Sequence, residues 1–125
     1  MVSEKDVNVF IVDDNIQSVT SISNYLESKG FKTTWAYNQK DATLMFKENN
    51  PDIVLMGVMF QHTTGFEIAK DLKNAKIIFM TSHPPLVEEA KKTKGCVGVI
   101  GKPVDFEQLV SKLRELFKIP KPKFG

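Results

Sequence analysis

The sequence predicts an α/β protein, a doubly wound parallel sheet of five strands with helices on both faces, and three observations predict it. Short apolar runs alternate with helix-period segments along all 125 residues, the order that builds strand–helix units. The runs are nearly continuous in Val, Ile, Leu, Met and Phe, as strands buried on both faces require. The length suits one domain with a sizeable core.

Val7 to Val12 (VNVFIV) is rich in β-branched residues and reads as the first strand. Ile16, Val19, Ile22 and Leu26 recur at helical spacing, and Gly30 marks the end of that helix. Phe31 to Ala36 (FKTTWA) alternates weakly, which suits a strand near an edge. Asn38 is placed to cap a helix carrying Ala42, Met45 and Phe46 on one face. Pro51-Asp52 breaks that helix, and Ile53 to Met56 is the third strand. Gly65 precedes a short helix (FEIAKDLK), and Lys76 to Met80 is the fourth strand. Pro84-Pro85 opens a helix around Val87 to Lys94, and Val97 to Ile100 is the fifth strand.

The last helix is the plainest. Asp105 caps it, with Gln108 three residues on. Phe106, Leu109, Val110, Leu113, Leu116 and Phe117 fall at i, i+3, i+4, i+7, i+10 and i+11. Pro120 stops it. Residues 1–118 therefore read as the domain, and 119–125 (IPKPKFG) as a linker stub or C-terminal tail.

The net charge of +2, with lysines and acids interspersed, gives no broad basic field and argues against nucleic-acid binding. The single cysteine, Cys96, excludes an internal disulfide and suits a reducing compartment. MVSEKDVNVF has no basic start followed by a long apolar run, and no stretch is long enough to span a membrane. The expected location is the cytoplasm, with no membrane partner.

In an open parallel sheet a site lies beyond the carboxyl ends of the strands. There the first strand delivers Asp13-Asp14, the third Gly57, the fourth Thr81-Ser82 and the fifth Lys102-Pro103. Adjacent carboxylates repel and call for a cation, and hard oxygen ligands suit Mg²⁺. A hydroxyl and a lysine facing the same point suit a phosphoryl oxygen. The absent part is a carboxylate nucleophile.

VFIVDDN, then PDIVLM followed after eight residues by GFE, then IIFMTS and VIGKPVD, in this order and spacing, resemble the receiver domain of two-component response regulators over about residues 5–118. The resemblance implies a flavodoxin-like (βα)5 fold with strand order 2-1-3-4-5. It implies that Asp13 and Asp14 hold Mg²⁺ with the backbone carbonyl of Met59. The Thr81 hydroxyl would move toward the phosphoryl group and Lys102 would contact it. The bond from Lys102 to Pro103 is cis in many members. Position 57 is where the family carries the phosphorylated aspartate, and here it is Gly57.

Other departures accompany it. Gln61 stands in place of the usual proline, and Val99 in place of a switching aromatic three residues before the lysine. The stretch between Gly57 and Thr81 is a few residues shorter than usual. Departures in several places point to a natural pseudo-receiver rather than one engineered substitution. Mg²⁺ is then expected to bind weakly or not at all, with Lys102 placed to pair with Asp13 or Asp14 instead. The implied function is a signalling module, not an enzyme. It would bind a protein partner through helix four, strand five and helix five, with an output domain as a possible further partner. The alternative is a conventional phosphorelay receiver with another acceptor or a mutated acceptor site, for which Asp13, Asp14 and Ser82 are the residues to map.

Each residue also has a plainer reading. Asp13-Asp14 can form a turn and a helix cap, Gly57 a turn with positive φ, and Thr81 and Ser82 bonds to turn backbone. His62 reads as an exposed loop residue that His83, in a different loop, does not join. Cys96 reads as a small packed residue ahead of the fifth strand, and Trp35 as core or edge packing. Two other uses of this architecture are disfavoured. A flavin-nucleotide binder needs a hydroxyl- and glycine-rich phosphate loop where the anionic DDNIQ stands. An aspartate-based phosphatase needs two acids separated by one residue at that strand end, and these are adjacent.

Overall fold

The computed structural model describes residues 2–121. Strands β1 (Asn8–Val12), β2 (Lys32–Ala36), β3 (Ile53–Gly57), β4 (Ile77–Thr81) and β5 (Cys96–Gly101) form one parallel sheet in the order β2-β1-β3-β4-β5. The α-helices are α1 (Ile16–Ser28), α2 (Gln39–Asn49), α3 (Gly65–Asp71), α4 (Val87–Lys92) and α5 (Phe106–Leu116). The fold and strand order are those the sequence implies.

Alternation of side chains along each strand sorts the core into two layers. Val9 and Ile11 of β1 join Ile22 and Leu26 of α1 and Leu109 and Leu113 of α5. Phe10 and Val12 face the other way and join Ala42 of α2, Ile68 of α3 and Ala90 of α4. Every residue of β3 and β4 is buried, which is why both strands read as unbroken apolar runs.

Side-chain caps start four of the helices. Asn15, Asn38, Thr64 and Asp105 each accept a hydrogen bond from the backbone N–H three residues on, which satisfies one of the unpaired donors of a first turn. Asn38 and Asp105 are the expected caps. Asn15 and Thr64 are additional, and Thr64 makes Gly65 the first residue of α3 rather than its predecessor.

Several expectations need correction. Gly57 is the last residue of β3, and among the described glycines only Gly30 and Gly95 have positive φ, so Gly57 is not a turn glycine. Ile16 is 61% exposed: it is the first residue of α1, directly after the Asn15 cap, and stands in solvent rather than in the core. Trp35 is 41% exposed on the edge strand β2, so it is edge packing and not core. Cys96 opens β5 instead of preceding it, half-buried against the α2/α3/α4 layer. Pro84–Leu86 forms a separate 3-10 turn, and α4 ends at Lys92, where Thr93 turns extended. Ile119 is buried in the α1/α5 layer. Residues 122–125 of the expected tail lie outside the described residues.

Candidate functional site

The register sets Val12, Met56, Phe79 and Val99 side by side, so the residues after each strand meet above one edge of the sheet. Asp13 follows β1 and is 1% exposed. Its Oδ2 accepts a hydrogen bond from the Lys102 ammonium at 2.5 Å, and its Oδ1 accepts from the Asn15 backbone N–H at 3.0 Å. A buried carboxylate requires such partners. Lys102 follows β5, which is not a neighbour of β1, so the pair bridges the ends of β3 and β4 between them. The lysine side chain is 26% exposed. Of the two acids open to pairing with Lys102, the structure selects Asp13.

Asp14 is exposed and does other work. Its Oδ2 accepts from the Gln61 backbone N–H at 3.1 Å, tying the β1–α1 loop to the β3–α3 loop. Asp13 bonds the Asn15 N–H two residues on, so the turn reading of the acidic pair holds beside its charge pairing, while its helix-cap reading does not, because Asn15 is the cap of α1.

At Gly57 an added Cβ would lie 2.5 Å from Asp13 Oδ2 and 3.0 Å from its Cγ, and the three nearest atoms all belong to Asp13. The Asp13 carboxylate therefore fills the space that a side chain at 57 would enter. Gly65 is the second close approach. A Cβ there would lie 2.1 Å from the Gly57 carbonyl oxygen and 2.8 Å from Met56 Cγ, so the first turn of α3 rests directly on the end of β3. The Gly65 N–H donates to the Val58 carbonyl at 2.8 Å. Sequence reasoning missed this role of Gly65. The available signal was the pair of glycines that brackets the β3–α3 loop.

Thr81 is buried, and its Oγ1 accepts from the His83 backbone N–H at 3.0 Å. Its hydroxyl thus supports the β4–α4 turn. Ser82, His62 and His83 are exposed. Val99 is half-buried against the α2/α3/α4 layer. The Lys102–Pro103 peptide is cis. Met59 is 53% exposed and bridges to Thr64 across the loop, so its side chain stands outside the core.

Mg²⁺ prefers one or two free carboxylates in an octahedral shell completed by water. Asp13 instead holds an ammonium group on Oδ2, and Asp14 accepts one backbone N–H on its Oδ2. Among the described residues no group of three or more His, Cys, Asp and Glu side chains could hold a metal ion. With Lys102 on Asp13 Oδ2, the acidic pair does not present two free carboxylates to a divalent cation.

Fold and strand-end chemistry together define a signalling module of the receiver type. The family model of the response regulator receiver domain matches residues 9–114, and the chain belongs to that family. Its members serve signalling rather than enzymatic turnover. The polar-differentiation response regulator DivK of Brucella anthropi is 24% identical over 114 residues, covering 86% of this chain and 93% of its own length. A two-component response regulator from Clostridium difficile superposes with a TM-score of 0.82 at 20% identity, over 90% of this chain and 97% of its own, and at that identity it speaks for the fold alone. The chemotaxis protein CheY4 of Vibrio cholerae superposes with a TM-score of 0.76 at 25% identity, over 87% of this chain and 97% of its own. Among the described residues no helix is long and apolar enough to cross a membrane.

Proposed function

We propose that this chain is a pseudo-receiver, a receiver that takes no phosphoryl group at residue 57 and acts in two-component or phosphorelay signalling by binding a protein partner. The observation that carries the reading is Gly57 at the end of β3 with the Asp13–Lys102 ion pair against it. Phosphoryl transfer to a receiver needs a carboxylate nucleophile and a cation to neutralise the developing charge. Glycine supplies no nucleophile. Asp13, Asp14 and the Met59 carbonyl are then the remnant of a metal site at which Mg²⁺ binds weakly or not at all. Thr81 and Lys102 are remnants of the phosphoryl contacts, and Val99 of the switching aromatic.

A switch needs two states that differ in affinity for the input. Without an acceptor at 57 and an aromatic at 99 the chain holds one state, and partner binding does not wait for phosphorylation. The partner face is α4, β5 and α5. β5 is an edge strand with Val97 and Val99 half-exposed, beside an α4 of only 6 residues. Residues 1–118 with the buried Ile119 form the module, the residues after it serve as a tail or lead to an output domain, and the setting is the cytoplasm.

A second reading, a phosphorelay receiver with a different acceptor, has the exposure of Asp14 and Ser82 in its favour. Intact-mass measurement after incubation with Mg²⁺ and acetyl phosphate separates the two. The expected result is no gain of a phosphoryl group. A gain that maps to Asp13, Asp14 or Ser82 establishes the second reading and removes the first.

A further inference from the structure

Removing an acidic side chain from a receiver's acceptor position leaves a space beside the acidic pair. Water, a metal ion or protein could fill it. Here the space belongs to Asp13, whose Oδ2 lies 2.5 Å from where a Cβ on residue 57 would sit. The backbone at Gly57 is not left-handed, so it suits any L residue. On backbone grounds alone, alanine at this strand position would be more stable than glycine. The contact with Asp13 is what opposes it. Asp13 is held in that place by Lys102 at 2.5 Å and by the Asn15 N–H at 3.0 Å. The Thr81 hydroxyl is likewise engaged, by the His83 N–H.

We infer that the site is closed from within. The Asp13 carboxylate occupies the acceptor's volume, and the Lys102 ammonium is the resident cation. Neither a side chain at 57 nor Mg²⁺ at the acidic pair is accommodated until the Asp13–Lys102 pair opens. The inference rests on the pseudo-receiver reading and goes beyond it: returning an aspartate to position 57 does not by itself return a phosphoacceptor. Gly57→Asp would set a further carboxylate beside Asp13 and Asp14 with a single ammonium to balance them. Like charges at that range disfavour one another.

A double-mutant cycle on stability tests the occupied volume. Gly57→Ala should lower the melting temperature of the natural chain by roughly 3–6 °C, between the shifts that an ordinary destabilisation produces in 60–100-residue and in 150–250-residue domains. In the Asp13→Ala background the same substitution should be neutral or raise it. If Gly57→Ala raises the melting temperature in both backgrounds, the space is free and the inference falls.

Magnesium tests the resident cation. Millimolar MgCl₂, against NaCl of matched ionic strength, should leave the melting temperature of the natural chain unchanged and raise that of Lys102→Met, in which Asp13 is released. A rise in the natural chain, or indifference in Lys102→Met, overturns the assignment of Lys102. Acetyl phosphate then separates the two levels of the account. Gly57→Asp is expected to stay unlabelled. Labelling of Gly57→Asp beside an unlabelled natural chain overturns the closed site and leaves the pseudo-receiver reading standing. Labelling of the natural chain removes that reading itself.

Discussion

The Asp13–Lys102 bridge and the β3–α3 corner lie at the same edge of the sheet and are closed by opposite means. The bridge is closed by charge: a buried carboxylate, an ammonium from a non-adjacent strand, and a backbone N–H on the remaining oxygen. The corner is closed by the absence of side chains. Gly57 ends β3 and Gly65 starts α3, and a Cβ on Gly65 would reach the Gly57 carbonyl oxygen at 2.1 Å. The difference shows two ways in which strand ends can be closed by the chain's own residues. Asp13 and Lys102 satisfy each other, so neither needs a bound ion to be stable in the fold. On the inference above, a side chain at residue 57 has to displace the Asp13 carboxylate and with it the Lys102 contact.

The comparison breaks most sharply at the corner. Gly65→Val puts a branched side chain against main-chain atoms that have no flexible end to move. It should cost about 3 kcal/mol or more of unfolding free energy, as severe overpacking does, read as a fall in the urea midpoint. An unchanged midpoint would mean that α3 does not rest on β3 as described.

At the bridge the two partners should respond unequally. Lys102→Met leaves a carboxylate that is 1% exposed without its counter-charge. Breaking a buried pair in this way costs several kcal/mol, discounted here to about 2 kcal/mol because the lysine itself is partly solvated. Asp13→Ala should cost about 1 kcal/mol, since a long lysine side chain can carry its charge out to water. Urea titrations of both variants check the order, and equal losses would show that burial does not set the energy of the bridge.

The smallest effect lies just beyond the bridge, where Asp105 caps α5 through the Gln108 N–H at 3.0 Å. Asp105→Ala should cost about 0.5 kcal/mol, the low end for an N-cap, since this cap is exposed. It should leave the response of Lys102→Met to MgCl₂ unchanged. A change in that response would couple the cap to the bridge.

The fold was legible because its determinants are local. The apolar runs of β3 and β4 are unbroken because every residue in them is buried, and the α5 stripe through Leu109, Val110 and Leu113 follows a single helical period. Periodicity failed at Ile16, where a first-turn residue keeps the spacing but stands in solvent. It also gave no hint of the caps Asn15 and Thr64, which depend on backbone geometry. The four strand-end motifs were visible in the chain, and the missing acceptor was visible only against the family pattern. Which acid pairs with Lys102, and whose atoms stand over Gly57, depend on side-chain direction across four strands, which no spacing along the sequence encodes.

The central claim, a receiver held in one state with its site closed, is tested most directly by the backbone amide NMR spectrum of the natural chain in Mg²⁺, recorded before and after acetyl phosphate is added. The account predicts a single set of resonances, with Asp13, Gly57, Thr81 and Lys102 unmoved. A second set growing in, with shifts running along β4, α4 and β5, would contradict it.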